Sequence, residues 1–566
     1  MGPAMSDWAD RWTDKTLWIA LEEAADRRGD GDAYLFPNGR LSLPELRRRA
    51  DRVSRGFLAL GAGRGDRVAI WMAGYAEWAA LYFGLARIGA VMVPLNTRYK
   101  PHEIEYVMSK SRASVLVFKD EQSAGKDYAS ILSELCPELD AGKPGDLRCK
   151  TMPQLRTVIA VASRRLPGIL PFADLPDTGV PSGEGAGRSA PFTSLLAAGR
   201  SVTDEQVAAA ERQVQPDDTA MIQFTSGTTA FPKGAELFQI GMLRGAQVNA
   251  DFAGLNAADR FFSPQPFYHC GGSIFVMLSP IVSGCFTVVQ PYFDATEALR
   301  LMDEERCNVT MGHQPHWIEY LNHPDRPKRN LSLDKALVFA SPEVNRLVHD
   351  KMGIAGLLAP YGLTETHLAG TFCGLDEPLE VRLSTVGRPP PGMDMEIRNP
   401  ATNQPFPHGE AGEICFRGWG VMKGYYDDPE RTAEALEPDG WFHTGDLGLI
   451  GDDGNLRIRG RIKEMIRVGG ENVAAADVEG YLLRHPAVKQ VVAVGKADPR
   501  LAEAVLAYVE LKDGALASDG ELIEFCRSGL ASFKVPREVR FVNDWPMSGT
   551  GKIQRFLLKE DANAVR

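Results

Sequence analysis

Ten consecutive residues, Thr225-Ser226-Gly227-Thr228-Thr229-Ala230-Phe231-Pro232-Lys233-Gly234, set small hydroxyls, sterically relaxed positions and one lysine side by side. Hydroxyls, backbone N–H groups and a lysine are the donors that a phosphate needs. The spacing is not that of the common P-loop, Gly-x-x-x-x-Gly-Lys-Ser/Thr. The loop therefore points to nucleotide chemistry of another kind. Further polar runs follow in order: Tyr361-Gly362-Leu363-Thr364-Glu365-Thr366, Trp441-Phe442-His443-Thr444-Gly445-Asp446, Gly460-Arg461-Ile462-Lys463, Gly469-Gly470-Glu471-Asn472 and Ser548-Gly549-Thr550-Gly551-Lys552-Ile553. Between them they offer three carboxylates, an arginine and two lysines, one of them near the C-terminus.

Such groups need elements to hold them. The apolar run Ala220 to Phe224 reads as a buried strand feeding the phosphate loop. Residues 42 to 58 start like a proline-led helix, Val68 to Trp71 reads as a strand, Glu77 to Ala90 as a helix and Val91 to Pro94 as the next strand. This alternation predicts a parallel sheet covered on both faces. Residues 175 to 192 read as an irregular joining segment or surface insertion. From Gly387 to Gly460 short β-type runs separated by turns predict a β-rich subdomain. Beyond it the pattern is compact and mixed: helices over Ala476 to Arg484 and Glu521 to Ser528, strands over Val488 to Val494 and Ala504 to Leu511. The fold class expected is α/β: a large N-terminal domain of stacked βα subdomains plus a β-rich subdomain, then a small mobile α+β C-terminal domain. The change of texture near Lys463 divides the chain into domains 6–462 and 463–566.

With 566 residues the chain exceeds one ordinary core. Lys plus Arg number 63 against 74 Asp plus Glu, a net charge of −11 that argues against nucleic-acid or anionic-membrane partners. The eight cysteines lie scattered without a CxxC pair and read as reduced thiols of a cytoplasmic protein. No stretch approaches the ~20 apolar residues of a membrane span, so no stable membrane anchor is expected. Met1-Gly2-Pro3 only superficially fits a myristoylation signal, because of Pro3.

In order and spacing these motifs resemble the adenylate-forming superfamily of acyl- and aryl-CoA ligases, peptide-synthetase adenylation domains and luciferases, over essentially residues 40 to 556. The resemblance implies an AMP-forming acid–CoA ligase using ATP, Mg²⁺ and CoA. A carboxylate attacks the α-phosphate of ATP, pyrophosphate leaves, and the acyl group then passes to CoA. Positioning and electrostatic stabilisation should dominate such a reaction.

Residue by residue, the resemblance implies Lys552 as the cation bridging acid and α-phosphate, Glu365 as the Mg²⁺ ligand and Thr364 as its phosphate-contacting neighbour. Thr225, Ser226, Gly227, Thr228, Thr229 and Lys233 would clamp the phosphates. Ser341, Tyr361 and Gly362 would line the adenine side, while Asp446 would take the ribose hydroxyls with Arg461 in support. His443 is given no chemical role. His269 and Gly272 would gate an acyl pocket that His313 and Trp317 help to line. Lys463 would be the hinge, and Gly469, Gly470 and Glu471 the CoA path.

The chain departs from the family pattern at Ala230, Gln239, Phe339-Ala340-Ser341-Pro342 and Ala475. The polar, bulky run Val309 to Trp317 points to a compact or polar-bearing acid. His313 and His316 lack a third ligand and are not read as a metal site. Two other readings stay open: an enzyme loading an aryl acid onto a carrier protein, and a non-catalytic sensor of nucleotide or acyl-adenylate. A homodimer is compatible with the sequence.

Overall fold

The computed structural model describes residues 11–120, 127–142, 145–174, 193–225, 232–468, 471–547 and 553–564. The joining segment 175–192 and the expectations for Ser226, Gly227, Thr228, Thr229, Ala230, Gly469, Gly470 and Lys552 lie outside them.

Two seven-stranded sheets form the large domain. The first runs Gly356–Leu358, Lys335–Phe339, Val309–His313, Arg260–Ser263, Phe286–Val289, Asp32–Phe36, Gly39–Ser42. The second runs Leu170–Pro171, Thr157–Val161, Val115–Lys119, Arg67–Trp71, Val91–Pro94, Thr219–Thr225, Lys233–Phe238. In each, all pairings are parallel except the last, which is an antiparallel edge. Parallel strands are buried on both faces, which is why Val68 to Trp71 and Val91 to Pro94 are continuously apolar and fully covered.

Helices close both faces. Ser42 accepts from Glu45 N at the start of Leu43–Ala59, with proline in the first turn, as its sequence predicts. One apolar core spans the two sheets through Trp78, Phe83, Phe261 and Phe267. A four-stranded antiparallel sheet follows, ordered Met393–Arg398, Gly412–Gly418, Phe442–Ile450, Leu456–Arg461. The C-terminal sheet has long antiparallel strands Val488–Asp498 and Ala502–Leu511, flanked by Ile466–Val468, Glu471–Val473 and the parallel Glu538–Phe541. Val344 and Val348 share an apolar cluster with Val478 and Leu482, and Arg484 pairs with Glu343 at 3.3 Å, so the last domain rests on the first sheet's helices. Ala475 opens the helix Ala475–Leu482. That is the helix position proline favours because its N–H has no partner there, so alanine substitutes at little cost.

Candidate active site

The strand Thr219–Thr225 ends at Thr225, whose hydroxyl lies 3.5 Å from Glu365 Oε1 and 3.4 Å from the Lys233 carbonyl oxygen. Lys233 starts the return strand, its ammonium 4.7 Å from the centroid of the Tyr425 ring. Burial and the Arg431 charge lower its pKa, while Glu365 opposes them. Glu365 stands on the single 3₁₀ turn Thr364–Thr366, 9% exposed, and accepts from Tyr425 OH at 3.1 Å. Thr364 beside it donates to Cys270 Sγ at 3.2 Å. One carboxylate with a neighbouring hydroxyl provides hard oxygen donors, which suits a magnesium ion sharing the remaining positions with phosphate oxygens and water.

The turn is held from behind by His367. Its Nδ1 meets the Gly420 carbonyl at 2.7 Å and its Nε2 accepts from Phe238 N at 3.1 Å. Burial lowers its pKa to about 4, so it is a neutral tautomer fixed by two backbone groups.

Within reach of the Glu365 charge three further residues converge. Tyr361 OH donates to Asp446 Oδ2 at 2.6 Å, and Arg461 Nε lies 3.0 Å from Asp446 Oδ1. Asp446 is 6% exposed. Burial and the Asp446 charge push the Tyr361 phenol well up, so it stays a donor, and Asp446 raises the Arg461 pKa. Asp446 and Arg461 are direct partners across adjacent strands. Gly362 packs against the Leu368 backbone. Ser341 caps the helix Pro342–Met352, accepting from Val344 N at 3.4 Å, while its own N–H donates to Gln314 Oε1 at 3.2 Å.

The residues expected at the acyl pocket lie near the ends of the first sheet's strands. His269 and His313 rings are 5.9 Å apart and perpendicular, and Phe339 is 5.2 Å from His313. His269 leads into a π-helical turn, Gly271–Val276, an arrangement often found at functional sites. Gly272 is needed there because a Cβ would sit 2.3 Å from the Pro266 carbonyl oxygen. Trp317, expected on the pocket wall, is turned the other way. It is 0% exposed, donates to the Gly312 carbonyl at 2.8 Å and packs edge-on to Tyr320 in the core. Its part is to fix the strand end that presents His313.

Lys463 lies on the 3₁₀ turn Ile462–Glu464, close enough for its charge to lower the Lys233 pKa. Glu471 is exposed on the strand Glu471–Val473. Met547 and Ile553 form an antiparallel bridge. Arg555, just beyond, grips Glu479 with Nη2 to Oε2 at 2.8 Å and approaches Glu464 at 3.4 Å, anchoring the last helix beside the boundary.

Several residues of the site carry no sequence signal. Gln223, the lone polar residue in its apolar run, accepts from Ser273 Oγ at 3.1 Å and donates to the Tyr268 carbonyl. It thereby ties the phosphate-side strand to the His269 segment. Tyr425 and the carboxylates Glu413 and Glu437 are equally silent in sequence. Gln239 is fully buried, accepting from Leu17 N at 2.9 Å and facing the Ala86 carbonyl at 3.4 Å, so this departure satisfies core backbone groups.

Known proteins resemble this chain in sequence and in fold. Residues 21–426 match the AMP-binding enzyme family and residues 477–552 match the AMP-binding enzyme C-terminal domain. YngI of Bacillus subtilis (strain 168), a putative acyl-CoA synthetase by name, is 35% identical over 551 residues, 96% of each chain. The human mitochondrial medium-chain acyl-CoA ligase ACSF2 is 32% identical over 559 residues, 96% of this chain and 87% of that one. Among solved structures, ATP-bound MatB from Rhodopseudomonas palustris superposes with a TM-score of 0.77 at 27% identity, covering 96% of this chain and 98% of that one. The anthranilate CoA ligase AuaEII shares the fold, with a TM-score of 0.81 at 22% identity over 97% and 98% of the two chains. The chain belongs to the AMP-binding enzyme family, in its adenylate-forming, acyl-CoA synthetase branch.

Proposed function

We propose that this acid–CoA ligase activates a compact carboxylic acid, up to medium chain length, between the Thr225–Glu365 edge and the Asp446 turn. The observation carrying this is the convergence of Tyr361 and Arg461 on the buried Asp446 carboxylate, with the Thr225-bound Glu365 near enough for its charge to act on both Arg461 and Lys233. Asp446 would accept the ribose hydroxyls, an acceptor-only role suited to an ionised carboxylate. Thr225 and Lys233 would bind the leaving pyrophosphate, and Glu365 would hold magnesium, which when bound neutralises phosphate charge.

The acid's carboxylate oxygen attacks the α-phosphorus, the bond to pyrophosphate breaks, and acyl-adenylate results. Lys552 would stabilise the charge that builds on the phosphate oxygens. The CoA sulfur then attacks the acyl carbon and AMP leaves. The His269, His313 and Phe339 rings narrow the acid side, and the relatives named for medium-chain acids support the same size class. We place the domain boundary near Lys463, with residues 463–566 rotating between the half-reactions and Gly469 to Glu471 lining the CoA path. The separate C-terminal sheet and the polar pair Arg484–Glu343 support this. Thiol cysteines, all buried, support a cytoplasmic setting. No helix among the described residues is long and apolar enough to cross a membrane.

ATP–pyrophosphate exchange over short, medium, long, aromatic and dicarboxylic acids tests the reading, with CoA or a carrier protein then added to the best acid. Exchange peaking at compact to medium acids and release to CoA is expected. A peak at long chains, or release only to a carrier, overturns it. Lys552→Ala should lower exchange roughly 100-fold or more while sparing thioester formation from supplied acyl-adenylate. Equal survival of both half-reactions removes Lys552 from its role.

A further inference from the structure

The strand Phe442–Ile450 does not run smoothly past its neighbour Gly412–Gly418. Cys415 pairs with His443 and Glu413 with Leu447, so the two-residue step 413 to 415 faces the four-residue step 443 to 447. Thr444, Gly445 and Asp446 thereby drop out of the pairing with that neighbour, while Asp446 keeps its pairing with Arg461 on the other side. Such bulges re-aim a side chain and leave backbone groups to be satisfied by other means.

The replacements are specific. Gly445 takes φ +72°, and its N–H donates to Glu413 Oε1 at 2.9 Å. Asp446 N donates to Thr444 Oγ1 at 3.0 Å, and that hydroxyl donates to the Ile414 carbonyl at 2.7 Å. The other oxygen of Glu413 meets His443 Nδ1 at 3.0 Å, and His443 Nε2 meets Glu437 Oε1 at 2.7 Å. Glu437 is itself fixed by Arg398 Nη1 at 2.9 Å and Asn403 Nδ2 at 2.6 Å, with Arg398 stacked 4.6 Å from the Trp441 ring centroid. Both ring nitrogens thus face carboxylates, and a doubly donating imidazolium fits where neither neutral tautomer would. Cys415 Sγ lies 3.5 Å from Nδ1, so Glu413, Cys415 and His443 cluster as a metal site would. The second carboxylate on Nε2, balanced by Arg398, instead assigns the cluster to charge pairing.

We propose that His443 is a positioning residue for nucleotide binding: by clamping Glu413, whose other oxygen holds Gly445 N–H, it fixes the bulge that aims Asp446 at the ribose. The inference rests on the assignment of Asp446 to the ribose hydroxyls. It goes beyond that assignment because His443 would act through Glu413, both of its ring nitrogens being turned to protein carboxylates.

The test is the preference for ATP over 2′-deoxy- and 3′-deoxy-ATP, read as a ratio of kcat/KM values in pyrophosphate exchange. A variant that merely loses folded enzyme lowers both values and leaves the ratio alone. Asp446→Asn should collapse the ratio; if it does not, the ribose assignment itself fails. Given that collapse, His443→Ala should narrow the ratio about tenfold, and His443→Gln, which keeps one donor, should narrow it less. Glu413→Ala should match His443→Ala, and the double variant should be no worse than Glu413→Ala alone. An unchanged ratio in both His443 variants, or losses that simply add in the double variant, overturns the proposal while leaving the Asp446 assignment intact.

Discussion

On the proposed ribose side of the site His443 lies between Glu413 and Glu437, whereas on the proposed acid side His316 lies against the Phe293 ring, 4.4 Å between centroids, its Nδ1 accepting from the His313 backbone. Cys415 and the two carboxylates raise the first to about 11, and burial lowers the second to about 4. One side is thus a cross-linked set of charges, with His443 between two carboxylates and Glu437 between His443 and Arg398. The other is a set of packed rings, with the neutral His316 held by shape and a backbone contact. The difference matches what each side must recognise. ATP is the same in every turnover and rewards rigid recognition, while the acid is what varies between related ligases. Packed rings can be exchanged without leaving a charge unpaired.

The sharpest way to break this contrast is Asp446→Asn. It leaves Tyr361 and Arg461 facing a weaker acceptor, and exchange activity should fall roughly 100-fold for every acid alike. A loss that differed between acids would show that the two sides are not separate. Next comes Gly272→Ala, whose Cβ would meet the Pro266 oxygen at 2.3 Å. Stability should drop by about 1–3 kcal/mol, read by denaturant unfolding, and the KM for acid should rise more than that for ATP.

The histidines predict opposite pH dependences. His316 folds with a pKa near 4, so its contribution is full above pH 6.5 and is lost as the pH falls toward 4, the unfolded chain taking the proton first. His443 folds with a pKa near 11, so its contribution is full below pH 6.5 and fades as the pH rises toward 11. Unfolding of His316→Asn should therefore show a flatter acid limb than the parent. The stability gap between parent and His443→Gln should shrink from pH 7 to 10. The smallest effect belongs to His313→Ala, which should shift the ratio between short and longer acids about fivefold while leaving the KM for ATP unchanged.

Much of this is legible in sequence because it is local. The helix at Leu43–Ala59, the strands at Val91–Pro94 and Thr219–Thr225, and the β-rich run after Gly387 each announce themselves through a cap, an apolar run or a turn. The residues that meet at Asp446 are marked by their motifs, though 85 positions separate Asp446 from Tyr361. Trp317 faces the core rather than the pocket, since a large aromatic at a strand end serves either equally well until the packing is known. Gln223, Tyr425 and Glu413 carry no motif. Their partners Ser273, Glu365 and Gly445 lie 50, 60 and 32 positions away, and only the folded sheets bring them together.

All eight cysteines are buried thiols, on strands, helices and turns of both domains. Reagents that need solvent contact with sulfur will react slowly with the native chain. A single cysteine introduced at the exposed Leu516, with a second on the large domain's surface, would therefore accept fluorophores almost alone. The burial of the native sulfurs makes this ligase ready for an optical ruler of the proposed rotation of its last domain, without first stripping any residue from its core.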